Sequence, residues 1–176
     1  HAILAGRTPE KIEAVAQEIL AAGGSAEAFC ADVTSAEDQD ALFDLAASRG
    51  EVSAVLYNAG NNAIIPFEQL DAETYQAFWR AGNFGAFLTA KRAIPILKEQ
   101  GEGSLLFTGA SGSMRGRSNF AHFASMKAGL RMLAQSLARE FGPAGVHVAH
   151  VVIDGIIDGD YVGERFKAYL DNLGED

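Results

Sequence analysis

Two spacings of apolar residues alternate along this chain. In residues 2–5, 26–30, 52–57, 104–108 and 146–153 nearly every position is apolar or small, the pattern of short strands buried on both faces. Between them the apolar positions fall at helical spacing. Ile12, Val15, Ala16, Ile19 and Leu20 form a stripe, with Thr8 and Pro9 before it as N-cap and first-turn residues and Gly23-Gly24 closing it. Thr34 with Glu37 predicts a capping box for a helix running through Ser48. Asp71 opens a long helix to about Lys98, with Pro95 kinking its last turns. A further helix over 119–140 carries Leu130, Leu133 and Leu137 and stops at Gly142-Pro143. Tyr161 to Leu170 reads as a last short helix. Five strands alternating with helices over short connections predict an α/β fold, a doubly wound parallel sheet in a single domain spanning residues 1–176, with the fifth strand central.

Charge and composition narrow the partners. Fourteen Lys and Arg against 23 Asp and Glu give a net charge of -9, which argues against nucleic acid or an anionic membrane as a general partner. Arg115 and Arg117 make the only concentrated basic cluster. The single cysteine, Cys30, excludes an internal disulfide and is expected to pack in the core. No apolar run approaches the roughly 18 residues of a membrane span, so the expected location is cytoplasmic. Nothing in the pattern calls for a metal.

In a doubly wound sheet, ligands gather beyond the carboxyl ends of the strands. The residues there are Gly6-Arg7, Asp32-Val33, Asn58-Ala59-Gly60, Gly109 to Ser113 and Asp154-Gly155. An Ala-Gly pair lets backbone approach a ligand closely, and the Asn58 amide can tie strands together. Asp32 reads equally as a helix-capping acid, and Asp154-Gly155 as a turn with its carboxylate in water.

Asn58-Ala59-Gly60 after one strand, Asn83 inside the long helix, and a Ser/Gly-rich loop leading into the helix with Phe123 and Lys127 four residues apart resemble, in order and spacing, the short-chain dehydrogenase/reductase family. The resemblance implies a Rossmann-like fold and hydride transfer between a nicotinamide and a small carbonyl or alcohol substrate. It implies that Asp32 and Val33 contact the adenine, that Asn58, Ala59, Gly60 and Gly155 line the cofactor, and that Lys127 holds the nicotinamide ribose. Arg7, where relatives that use NAD usually carry an acid, suits the 2′-phosphate of NADP, with NAD as the other possibility. Homodimers or homotetramers are also implied, and the small residues Ala86, Leu88, Ala90, Ala93 and Ala134 would allow close helix contact or simply pack on the sheet.

Several positions depart from the family pattern. The glycine-rich loop after the first strand is not found, and the expectation is that the chain begins at the family's second strand and ends before its last. Lys127 and Asn83 match catalytic positions, but Phe123 stands at the position of the catalytic tyrosine, and counting back to the catalytic serine lands on Ala110, one residue before Ser111. His122, Tyr161 or a water fed by Lys127 are candidate substitutes for the proton donor, although helix geometry turns His122 away from Lys127, and Ser111 or Ser113 could bind the carbonyl if the loop backbone is re-registered. The expected function is therefore an NAD(P)-dependent oxidoreductase with a non-standard proton donor. The alternative is a non-catalytic relative that binds a nucleotide or a partner.

Overall fold

The computed structural model describes residues 1–155 and 157; the expected helix after Tyr161, and Tyr161 itself, lie outside them. The order is β1 (Ala2–Gly6), α1 (Pro9–Ala21), β2 (Ala26–Cys30), α2 (Ala36–Arg49), β3 (Ala54–Tyr57), α3 (Ala72–Trp79), α4 (Gly85–Gln100), β4 (Gly103–Ala110), α5 (Ala121–Phe141) and β5 (Val146–Ile153). All strand pairs are parallel: β1 with β2, β3 with β4, and β4 with β5. The α/β Rossmann-like fold is as expected, but hydrogen bonding divides the strands into a pair and a trio. Between the facing edges of β1 and β3 lies a cleft of about 840 Å³. The step from β1 to β2 leads away from this cleft in one direction, and the steps from β3 through β5 lead away in the other. Right-handed crossovers then put α1 on one face and α4 and α5 on the opposite face. The carboxyl end of this cleft, at Gly6 and Asn58, is thus the topological switch point, where such folds bind ligands.

Local chemistry sets the element ends, and several differ from expectation. Thr34 does not cap α2, because its hydroxyl and its N–H both go to Asp32 Oδ1, each at 2.8 Å; Ser35 caps instead, its Oγ accepting from Asp38 N at 3.1 Å. Val52 stays out of β3, since the Gln100 side-chain amide takes up its N–H (3.1 Å) and its C=O (2.9 Å). Asp71 caps α3 as expected, accepting from Thr74 N at 2.7 Å. The long helix is interrupted not at Pro95, which lies inside α4, but by a π-helical turn over Arg80–Phe84 that contains Asn83. β4 extends to Ala110, and Ser111–Ser113 form one 3₁₀ turn before α5.

The core is built on β4. Leu105 and Phe107 are fully buried on one of its faces and pack with Leu97, Leu130, Ala86, Ala90, Ala93 and Ala134. Those alanines therefore pack inside and are not a surface for another helix. Other apolar positions are less covered than the pattern predicts. Cys30 is exposed, being the last residue of β2, which among the described residues pairs only with β1. Val15 and Leu20 of the α1 stripe are exposed as well, and β5, expected to be central, pairs only with β4 among the described residues and has Val151 and Val152 exposed.

Candidate active site

The cleft runs along both strand edges from His1 and Glu51, and at its other end its lining includes Gly6 and six of the expected cofactor residues, Arg7, Asp32, Val33, Asn58, Ala59 and Gly60, but not Lys127 or Gly155. Strand ends bring them together: β1 delivers Gly6 and Arg7, β2 delivers Asp32 and Val33, and β3 delivers Asn58 to Gly60. Asp32 Oδ1 is committed to Thr34, and these hydrogen bonds, helped by the nearby Arg7 and Arg80 charges, hold its carboxyl below the usual range. Its role in opening α2 and its place on the cleft wall are compatible, since the second carboxylate oxygen is not used by Thr34. Behind the wall, the buried Tyr57 hydroxyl donates to Ala81 O, anchoring β3 to the π-helical turn; burial, with Asp32 adding to it, pushes the Tyr57 pKa far up.

Lys127 stands at the inner end of this wall. Its side chain crosses from α5 to β4, where Nζ donates to Thr108 O at 2.7 Å. Nζ lies 3.7 Å from where a Cβ on Gly60 would sit, so a larger residue there would crowd it. The residue is only 6% exposed and has no carboxylate partner among the described residues, and burial lowers its pKa. A buried lysine with one backbone partner is unfavourable for folding and retains donors for a ligand. The Phe123 ring lies one turn earlier, its centroid 5.9 Å from Nζ and its edge against Gly112. Asn83 is not joined to Lys127: its amide packs against Gly129, where a Cβ would come within 2.7 Å. Ser111 lies in the 3₁₀ turn. Asp154, beside Gly155, faces Arg115 at the surface at 3.4 Å, with both side chains mostly in water.

Sequence reasoning did not single out His150. It is the one titratable residue in the second half of an apolar strand, and that was the available signal. Its Nε2 lies 3.2 Å from Ser113 Oγ, and Ser113 Oγ also accepts the Ala110 N–H at 3.1 Å. Burial first, then the Lys127 and Arg131 charges, push the His150 pKa down.

His122 is buried against α3 instead, its ring edge-on to Phe78 at 4.3 Å. No hydrogen bond of ordinary geometry reaches either ring nitrogen, and burial lowers its pKa against a smaller opposing pull from the Ala63 backbone. A histidine pKa lowered in the folded state means that the unfolded chain binds the extra proton first. The resulting stability is complete above the unfolded value of about 6.5 and is lost as pH falls through the folded value. The melting temperature is therefore expected to be lower by several degrees at about pH 5 than at about pH 7.5, and His122→Leu to remove part of that dependence, the rest belonging to His150, whose pKa burial also lowers. Asp32 and Asp71, whose pKa values are lowered, lose their contribution only below about pH 4 and do not confuse this window.

Parallel strands, a cleft between the β1 and β3 edges and a buried lysine beside Gly60 define an α/β domain of Rossmann-like fold. The short chain dehydrogenase family model matches residues 1–169, and the chain belongs to that family. This match argues against the expected loss of the family's N-terminal glycine-rich loop. The chain is 31% identical over 179 residues to Uncharacterized oxidoreductase YuxG of Bacillus subtilis (strain 168), covering 96% of this chain and 26% of that protein. It thus spans about a quarter of that relative's length. A short-chain dehydrogenase from Rhodopseudomonas palustris superposes with a TM-score of 0.81 at 30% identity, covering 99% of this chain and 80% of the other. A gluconate 5-dehydrogenase from Burkholderia cenocepacia J2315, solved with NADP and tartrate, has the same fold, with a TM-score of 0.86 at 20% identity over 98% of this chain and 66% of its own. Among the described residues no helix is long and apolar enough to cross a membrane.

Proposed function

We propose that the protein is an NAD(P)-dependent oxidoreductase acting on a small carbonyl or alcohol, with NADP the preferred cofactor. The observation that carries this reading is that Gly60, at the end of a cleft lined also by Arg7, Asp32, Val33, Asn58 and Ala59, lies against Lys127, a buried amine with no counter-ion among the described residues. The dinucleotide supplies the hydride acceptor or donor. The chain's residues would do the rest: Asp32 and Val33 receive the adenine end, Asn58 to Gly60 let backbone approach the ribose, and Lys127 donates to hydroxyls beside Gly60. Lys127 Nζ has three hydrogens, and Thr108 O uses one. Relatives solved with NADP and with NADH support the cofactor class.

Arg7 favours NADP because it is exposed on the cleft wall, where a 2′-phosphate on the side away from the Asp32 carboxylate would find its guanidinium. Fluorescence titration is expected to show NADPH binding at least about 10-fold tighter than NADH, and Arg7→Ala to remove most of that preference. Equal binding of the two would end the NADP assignment, and binding of neither would end the oxidoreductase reading.

In this reading Phe123 and Ala110 occupy the positions where the family has its catalytic tyrosine and serine, so the proton must travel by another route. The other reading, a family member that binds nucleotide without turnover, rests on the same two residues. Self-association is part of the proposal, through the face of α3 and α4 on which Tyr75, Trp79 and Phe87 are exposed and Phe84 stacks between Trp79 and Phe87. Sedimentation velocity is expected to show a dimer or tetramer that Trp79→Glu converts to monomer.

A further inference from the structure

Three consecutive residues at the end of β4 each hold one polar group. Thr108 O accepts the Lys127 ammonium at 2.7 Å. Gly109 leaves the space that the His150 imidazole fills, and a Cβ there would land on the ring. Ala110 N–H donates to Ser113 Oγ at 3.1 Å, and the same oxygen meets His150 Nε2 at 3.2 Å. The row continues across the sheet, for Tyr57, Phe107 and His150 are register partners on β3, β4 and β5. A histidine and a serine are thereby fixed beside the lysine from two elements, although neither belongs to the cofactor wall.

The geometry points to the Ser113–His150 pair as the proton-handling group of the site, with Ser113 Oγ meeting the substrate oxygen and His150 acting through it. This deepens the oxidoreductase reading above and rests on it. Hydrogen-bond valency gives the assignment its content. When His150 is neutral with its proton on Nδ1, the Ser113 hydroxyl donates to Nε2. One serine lone pair then takes the Ala110 N–H, and the other is open to an alcohol O–H. When His150 carries both protons, Nε2–H donates to Ser113, both lone pairs are occupied, and the hydroxyl hydrogen is open to a carbonyl oxygen. The two protonation states of one ring therefore present Ser113 as acceptor to an alcohol and as donor to a carbonyl.

The balance follows. In oxidation the alcohol carbon gives up its hydride to the oxidised nicotinamide dinucleotide, the C–O bond becomes C=O, and the hydroxyl proton passes to Ser113 as the serine proton moves to Nε2, leaving imidazolium. Reduction returns the same proton through the same oxygen. The groups on surrounding elements set the resting protonation state. Lys127 and Arg131 of α5 bring positive charge to the ring, Phe107 and Gly109 of β4 are apolar, and Ser113 is 5% exposed, so little water competes for its free valency. The neutral ring, the form that accepts a proton, prevails near pH 7, which is the state from which alcohol oxidation starts.

The test uses imidazole ¹H–¹⁵N spectra of the full chain saturated with NADP⁺, with His150 assigned through His150→Gln and cyclohexanol as the probe. The expected result is an Nδ1–H tautomer at neutral pH, a midpoint below about 6.5, and an Nε2 resonance that moves on adding cyclohexanol in the wild type and in Ser113→Thr but not in Ser113→Ala. Oxidation of cyclohexanol is expected to fall about 10²-fold in Ser113→Ala and in His150→Gln, with no further loss in the double variant and unchanged NADPH binding. An Nε2 resonance indifferent to cyclohexanol, or an Nε2–H tautomer at neutral pH, would overturn the assignment even where NADPH binds. Absence of dinucleotide binding in the wild type would instead remove the oxidoreductase reading beneath it.

Discussion

Lys127→Met is expected to weaken NADPH binding at least about 10-fold and to lower any oxidoreductase turnover by a further 10²- to 10⁴-fold or so, while leaving the protein folded and no less stable. Methionine keeps an unbranched apolar stem of similar length, so the passage from α5 to β4 stays filled. What goes is the ammonium and its bond to Thr108 O. The sign of the stability effect follows from burial: it lowers the Lys127 pKa in the folded state, so at neutral pH the charge is better accommodated in the unfolded chain, and removing it relieves that cost. A lysine that served only packing would behave differently, for its loss would leave NADPH affinity unchanged at the same melting temperature as the variant shows here. Titration of cofactor fluorescence and a thermal melt on the same two samples separate these cases.

The strand-end logic that makes Lys127 stand out was legible from residue order. Apolar runs and helical stripes located all five strands to within two residues at each end, and the switch-point rule then named the residues that line the cleft. Tertiary competition decided what the pattern could not show. Gln100, 48 residues away, holds Val52 out of its strand, and Asp32 draws Thr34 away from capping. The π-helical turn at Arg80–Phe84 has no periodicity signal of its own; Gly82 and Gly85 occupy places where a Cβ would strike Met126 and the Tyr57 hydroxyl, which is a demand of packing alone. The exposure of Cys30 and of the outer half of β5 follows from which edges pair, and a single sequence does not state that. His150 was hidden for a related reason. A histidine in an apolar strand reads as a packed residue until its partner is known, and Ser113 comes from a turn 37 residues earlier.

Phe123→Tyr is expected to separate the two functional readings most sharply when it is made in two backgrounds. The Phe123 ring is held edge-on against Gly112 and one helical turn before Lys127, with Nζ 5.9 Å from its centroid. A hydroxyl added at the ring tip would extend the ring by one oxygen near a buried ammonium, which lowers a phenol pKa and suits it to proton transfer. If Ser113 and His150 already carry the proton, the new phenol is redundant in the wild type, and the rate of cyclohexanol oxidation with NADP⁺ should change by less than about 10-fold. In His150→Gln, where that route is cut, the same phenol should restore roughly 10²-fold of the lost rate. Redundancy in one background and rescue in the other is a non-additive signature that a packing effect at Phe123 would not produce. A gain of about 10²-fold or more in the wild-type background would mean that the natural chain has no working proton route. The protein would then be the nucleotide-binding relative without turnover, one phenolic oxygen short of an enzyme.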